Sequence, residues 1–140
     1  MSLSSRMSLI TVSRTRTVSR TNLIKPIMFT FQKLTVYNRA LDFNQFISRL
    51  LSHSKMDVVL RSQVRRASTS IVLNIAEGSG RHSIADRRNF FVVSRSSLFE
   101  CVSILDILLS ECVITGDTHE SGLKQADEIS RMLYAMIKKS

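Results

Sequence analysis

From Phe29 onward, apolar residues return at steps of three and four, and this period constrains the fold more than any other property of the chain. Val36, Ala40, Phe43, Ile47 and Leu50 form one stripe, and Leu60, Val64, Ala67, Ile71 and Ile75, continued by Ala76, form a second. Phe91, Ser94, Leu98, Cys101, Leu105, Leu108 and Cys112 make the third, and Ala126, Ile129, Leu133 and Met136 the fourth. Residues spaced this way share one face of a helix. An alternation of three and four averages about 3.5, which lets neighbouring helices cross at shallow angles in a bundle. One Pro and four Gly are too few for a turn-rich sandwich or barrel.

Capping residues fall between the stripes. Ser54 is placed to cap the second helix, and Gly78-Ser79-Gly80 to end it, because glycine accepts the left-handed backbone that many helix C-termini require. Ser83 with Asp86 reads as a capping box. Gly116 with Asp117 or Thr118 marks the passage from the third helix to the fourth. The expectation is four helices near 33–51, 55–77, 84–113 and 118–138. Short links favour antiparallel neighbours, giving an all-α, up-down-up-down four-helix bundle.

The charge is unevenly spread. Of the formal +9, Arg6, Arg14, Arg16, Arg20 and Lys25 supply five within a stretch that holds no acid. Residues 1–28 are read as a basic, Ser/Thr-rich arm, either disordered or upstream of a natural start at Met28, and residues 29–140 as the bundle. A transit peptide is the less favoured reading of that arm. No apolar run approaches the roughly 18–20 residues that span a bilayer, and the protein is expected in the cytoplasm. Cys101 and Cys112 read as small apolar residues of one helix, about 16 Å apart and beyond disulfide reach. His53, His82 and His119 show no metal-ligand spacing, so neither metal nor cofactor is expected. Gly78-Ser79-Gly80 lacks the preceding strand and third glycine of a phosphate-cradling loop.

Two stretches are more specific than a generic bundle. One is the run Gln63 to Arg81, containing Gln63-Val-Arg-Arg-Ala67, Ser70-Ile71 and Asn74-Ile-Ala-Glu-Gly78; the other runs from Arg88 to Glu100 and ends in Ser97-Leu-Phe-Glu100. Together they resemble the four-helix-bundle family encoded in intervening sequences of bacterial 23S ribosomal RNA genes, labelled in places as a ribosomal protein. The likeness covers about residues 29–138. It implies a closed homo-oligomer, commonly a pentamer, with a suspected role in binding RNA or DNA. It also implies kinship with the accessory protein of diversity-generating retroelements, whose partner would be a reverse transcriptase. Arg87, Asp86, Ser94 and Ser96 depart from residues usual in that family.

Seven arginines are the candidate binding residues: Arg61, Arg65, Arg66, Arg81, Arg87, Arg88 and Arg95. Guanidinium groups bind phosphate bidentately, and the only acids between 61 and 95 are Glu77 and Asp86. The alternative is a structural or adaptor homo-oligomer in which these cations pair with Asp57, Glu100, Asp106 or another subunit. Asn74, Glu77 and Glu100 are read as a structural polar network, with Glu77 offset by Arg81, a third-helix arginine or helix amides. No second carboxylate, nucleophile or histidine stands at a fixed spacing from Glu77, so an enzyme is not expected. Phe43, Phe46, Phe90, Phe91 and Phe99, with Met132 and Met136, are assigned to core and interface. Phe90 to Val93 is apolar on every side of one turn, which points to contact with another subunit. With no interleaved aromatic ladder to stack bases, recognition should be salt-sensitive and weakly sequence-specific.

Overall fold

The four periodic stretches are helical in the computed structural model, which describes residues 29–140; the basic arm lies outside the described residues. A 3-10 turn, Thr30–Lys33, leads into α1 (Thr35–His53), followed by α2 (Val58–Ser79), α3 (Ile84–Ser110) and α4 (Gly116–Lys139). Each helix packs on the next, and α4 closes the ring against α1. Cross-helix pairs fix the directions. Asn44 meets Ser68 and Ser48 meets Arg65; Ser70 meets Ser97 and Arg66 meets Glu100; Arg95 meets Ser130 and Asp106 meets His119; Arg39 meets Glu128 and Phe46 packs by Gly122. Every neighbouring pair is therefore antiparallel.

The stripes meet inside. Phe43, Ile47, Val64, Ile71, Ile75, Leu98, Leu105, Leu108, Ile129 and Leu133 are fully buried. Two helix ends differ from the sequence expectation: Leu51, not Leu50, closes the α1 stripe, and Cys112 lies outside the third stripe, exposed. Two serines enter the core with their hydroxyls satisfied. Ser94 Oγ donates to the Ile71 carbonyl (2.9 Å), and Ser68 Oγ donates to the Arg65 carbonyl (3.1 Å) while accepting from Asn44.

The caps also correct the sequence reading. Asp57, not Ser54, caps α2, its Oδ1 accepting from the amides of Val59 (2.8 Å) and Leu60 (3.3 Å). Ser54 Oγ is buried and has no hydrogen-bond partner among the described residues. Thr115 caps α4 in place of Asp117 or Thr118 by accepting from the Thr118 amide, and Gly116 is already helical. Ser83 accepts from the Asp86 amide, as expected of the α3 cap.

At the far end of α3 the left-handed residue is Cys112 (φ 57°), not a glycine. The Cys112 amide donates to the Leu109 carbonyl and the Val113 amide to the Leu108 carbonyl, a Schellman closure that ends α3 at Ser110, three residues before the expected end at 113. The α2 glycines serve another purpose. Gly80 keeps a right-handed backbone (φ −88°). A Cβ on Gly78 would lie 2.9 Å from Phe90 Cβ and 2.9 Å from Phe91 Cε1, so Gly78 permits α2 and α3 to approach closely. Gly122 does the same on α4, where a Cβ would fall 2.8 Å from Leu105 Cδ1.

Candidate nucleic-acid interface

The bundle separates the seven arginines into different settings. Arg61 points back to the end of α1, donating to the carbonyls of Leu51 (2.5 Å) and Ser54 (3.1 Å). Arg65 donates to Ser48 Oγ at 2.7 Å, tying α2 to α1. Arg66 stands on the outer side of α2, 3.7 Å from Glu100 of α3, with both side chains well exposed. Arg95 fills the α3–α4 seam: Nε donates to Ser130 Oγ (3.1 Å), and the guanidinium lies 4.7 Å from the Phe99 ring and 5.4 Å from the Tyr134 ring. These four share no single face.

The other three come together. Arg81 and Arg87 flank the turn between α2 and α3, and Arg88 follows Arg87 on α3. The Arg87 guanidinium donates to the Arg81 carbonyl (3.1 Å), while Arg81 lies 4.6 Å over the Phe90 ring. All three are exposed. Neither Glu77 nor Asp86 forms an ion pair among the described residues. Because α4 descends to the same end, Lys139 lines one cleft together with Arg87, and Lys138 precedes it with its Nζ 5.5 Å from the Tyr134 ring. One end of the bundle is therefore densely cationic and sparsely paired.

The opposite end of the α3–α4 pair carries Asp106, Glu111, Asp117 and Glu120. Asp106 pairs with His119 Nε2 (2.7 Å), not with an arginine. Helix α3 separates the two ends by about 40 Å at 1.5 Å per residue.

Asn74, Glu77 and Glu100 do not join into one network. Asn74 Nδ2 donates to the carbonyl (2.8 Å) and hydroxyl (2.9 Å) of Ser70, whose hydroxyl meets Ser97 at 2.9 Å. Glu100 pairs with Arg66, and Glu77 is exposed. Its carboxylate stays in water, where solvent screens the unfavourable helix end, so no compensating cation is required.

Sequence reasoning missed the aromatic residues at the cationic end. Phe29 is 58% exposed and stacks on Phe31 (centroids 5.9 Å, planes 18° apart), and Tyr37 meets Phe31 edge-on at 5.0 Å. Phe31 lines the same cleft as Arg87 and Lys139. Of the residues assigned to core and interface, Phe43 and Phe91 are buried, whereas Phe99 is 48% exposed. No helix of the described residues is long and apolar enough to cross a membrane.

The model of the family described as 23S rRNA-intervening sequence protein matches residues 32–135. No curated protein matches the chain. Among solved structures, a protein of unknown function from the S23 ribosomal protein family of Bacteroides thetaiotaomicron is similar, at 28% identity and a TM-score of 0.70. The match covers 74% of this chain and 99% of that one. The family match runs from the 3-10 turn into the last helix and takes in the cationic turn. The chain belongs to the 23S rRNA-intervening sequence protein family.

Proposed function

We propose that this protein is a non-enzymatic helical bundle that binds nucleic acid through phosphate contacts at its cationic end. The observation that carries the reading is the exposed, sparsely paired group Arg81, Arg87 and Arg88, joined by the C-terminal lysines of α4. Exposed guanidinium groups near one another, with no ion-pair partner among the described residues, suit a row of phosphates, and releasing condensed counterions would drive the association. The family's name, which refers to 23S rRNA, makes RNA the first candidate. Arg66 is a secondary contact under this reading, because its one partner is solvent-exposed and 3.7 Å away. Arg61, Arg65 and Arg95 serve chiefly to hold helices together.

Fluorescence anisotropy of the full chain with a labelled RNA, from about 50 to 200 mM salt, tests this reading. The expected result is binding that weakens steeply with salt and is lost on reversing Arg81 and Arg88 to Glu. Absence of binding at the lowest salt, or binding indifferent to that reversal, overturns it.

A second reading, assembly with copies of itself, is favoured by the outer α2–α3 face. Leu73 is 53% and Val93 48% exposed there. Apolar side chains grouped on an outer face commonly mark a contact surface. The resemblance implies a ring of five. Light scattering of the Leu73→Glu, Val93→Glu double variant should report a smaller particle than the parent; an unchanged mass overturns the assignment of that face.

A further inference from the structure

Deepening the phosphate-binding reading, on which it rests, we propose that the cationic end captures an unpaired base of a single strand at its cleft, with Phe31 in the cleft wall, Phe29 stacked on Phe31 outside that lining as the exposed face of the platform, and Arg87 and Lys139 holding the adjoining phosphate.

The cleft measures about 450 Å³, within the roughly 300–1,000 Å³ of small-ligand sites. Its walls are largely apolar, with Phe31, Ile84 and Met136 among them; Thr30, Ser79 and Ser140 also line it, and Arg87 and Lys139 are its basic side chains. That division matches a nucleotide, whose base is flat and weakly hydrated and whose phosphate is anionic. A pocket for a neutral apolar ligand would have little use for two cations. The cations also continue beyond the cleft. Arg88 lies one turn from Ile84 on the same side of α3, and Arg87 binds the Arg81 backbone. A succession of positive groups suits a chain of phosphates better than a single head group.

The aromatic geometry selects an unpaired base. Phe29 leaves more than half its surface in water, yet its ring is held nearly parallel to Phe31, which Tyr37 buttresses edge-on. An exposed ring already fixed in orientation loses little freedom when a base lies on it. Bases inside a duplex present their faces to one another; only a single strand, loop or bulge offers a free face.

The test measures anisotropy of the full chain with a labelled 12-nucleotide single strand, the same strand carrying abasic sites, and a duplex of equal length. Phe29→Ala should weaken single-strand binding by about 5- to 100-fold and leave duplex binding unchanged. The abasic strand should bind the parent protein as weakly as the intact strand binds Phe29→Ala. Arg88→Glu should weaken all probes. If Phe29→Ala or abasic sites change nothing while Arg88→Glu still does, base capture is wrong and phosphate binding stands. Equal losses on strand and duplex also overturn base capture. If no probe binds at low salt, both readings fall. Phe29 is exposed and precedes the first turn, so helical content by circular dichroism should confirm that the variant is folded.

Discussion

Arg61 closes the end of the preceding helix through Leu51: its guanidinium donates to the Leu51 carbonyl at 2.5 Å and, one contact further, to that of Ser54. Carbonyls at a helix C-terminus have no partner within the helix, and a cation there also faces the favourable end of the dipole. Arg61→Ala should therefore destabilise the fold by about 1–3 kcal/mol in urea titrations. It should leave nucleic-acid affinity nearly unchanged. Arg88→Ala, with no partner to lose among the described residues, should show the reverse pattern.

The α2 cap supplies a contrasting pair. Asp57→Ala removes the acceptor for two amides and should cost about 0.5–2 kcal/mol. Ser54→Ala deletes a buried hydroxyl that has no partner among the described residues, so stability should stay level or rise. Chemical denaturation of both variants checks the difference.

Gly78→Ala should destabilise despite alanine's higher helix propensity. The added methyl meets Phe90 Cβ, which is anchored to the backbone and cannot swing aside. Overpacking of about 1–3 kcal/mol outweighs a propensity gain of about 1 kcal/mol. Gly80→Ala is the control: its nearest neighbour is 3.6 Å away, and stability should not fall.

The two thiols should behave oppositely. Cys112 is exposed and should alkylate in the native protein. Burial, and secondarily the Glu100 carboxylate, pushes the Cys101 thiol from 9.0 up to about 12, so it should react only after unfolding. A thiol harder to ionise when folded leaves stability intact below pH 9. As pH rises from 9 towards 12 the unfolded chain ionises first, and the contribution of Cys101 to stability is lost. Thiol titration with and without urea, and melting curves across this range in a Cys112→Ser background, provide the measurements.

The helices were legible because their period depends on residue type alone: Ile71 with Ile75, or Ile129 with Leu133, must share a face whatever lies opposite. Helix ends were less legible. Ser54 and Asp57 are both capping types, and the tertiary position of the link decides that only Asp57 reaches the free amides. Cys112 took the left-handed site because α3 ends where Leu108 turns into the core, whereas Gly116 lies beyond the closure. At the candidate interface, arginine identity was visible but partners were not. Ser48 and Ser130 are remote in sequence from Arg65 and Arg95, so their bonds follow only from antiparallel packing. The nearness of Phe31 to Arg87 is hidden for the same reason: only the fold brings the chain's first described turn beside the α2–α3 corner.

Among the described residues, basic side chains at one end and carboxylates at the other give the α3–α4 pair a lengthwise electric moment. A body charged in this way experiences a torque in the field of a polyanion before any contact forms. On the proposed reading, that torque would bring the Arg88 end, and the Phe29 ring with it, to face the nucleic acid. Added salt would shorten the distance over which that turning acts to about one Debye length, roughly 8 Å at physiological ionic strength.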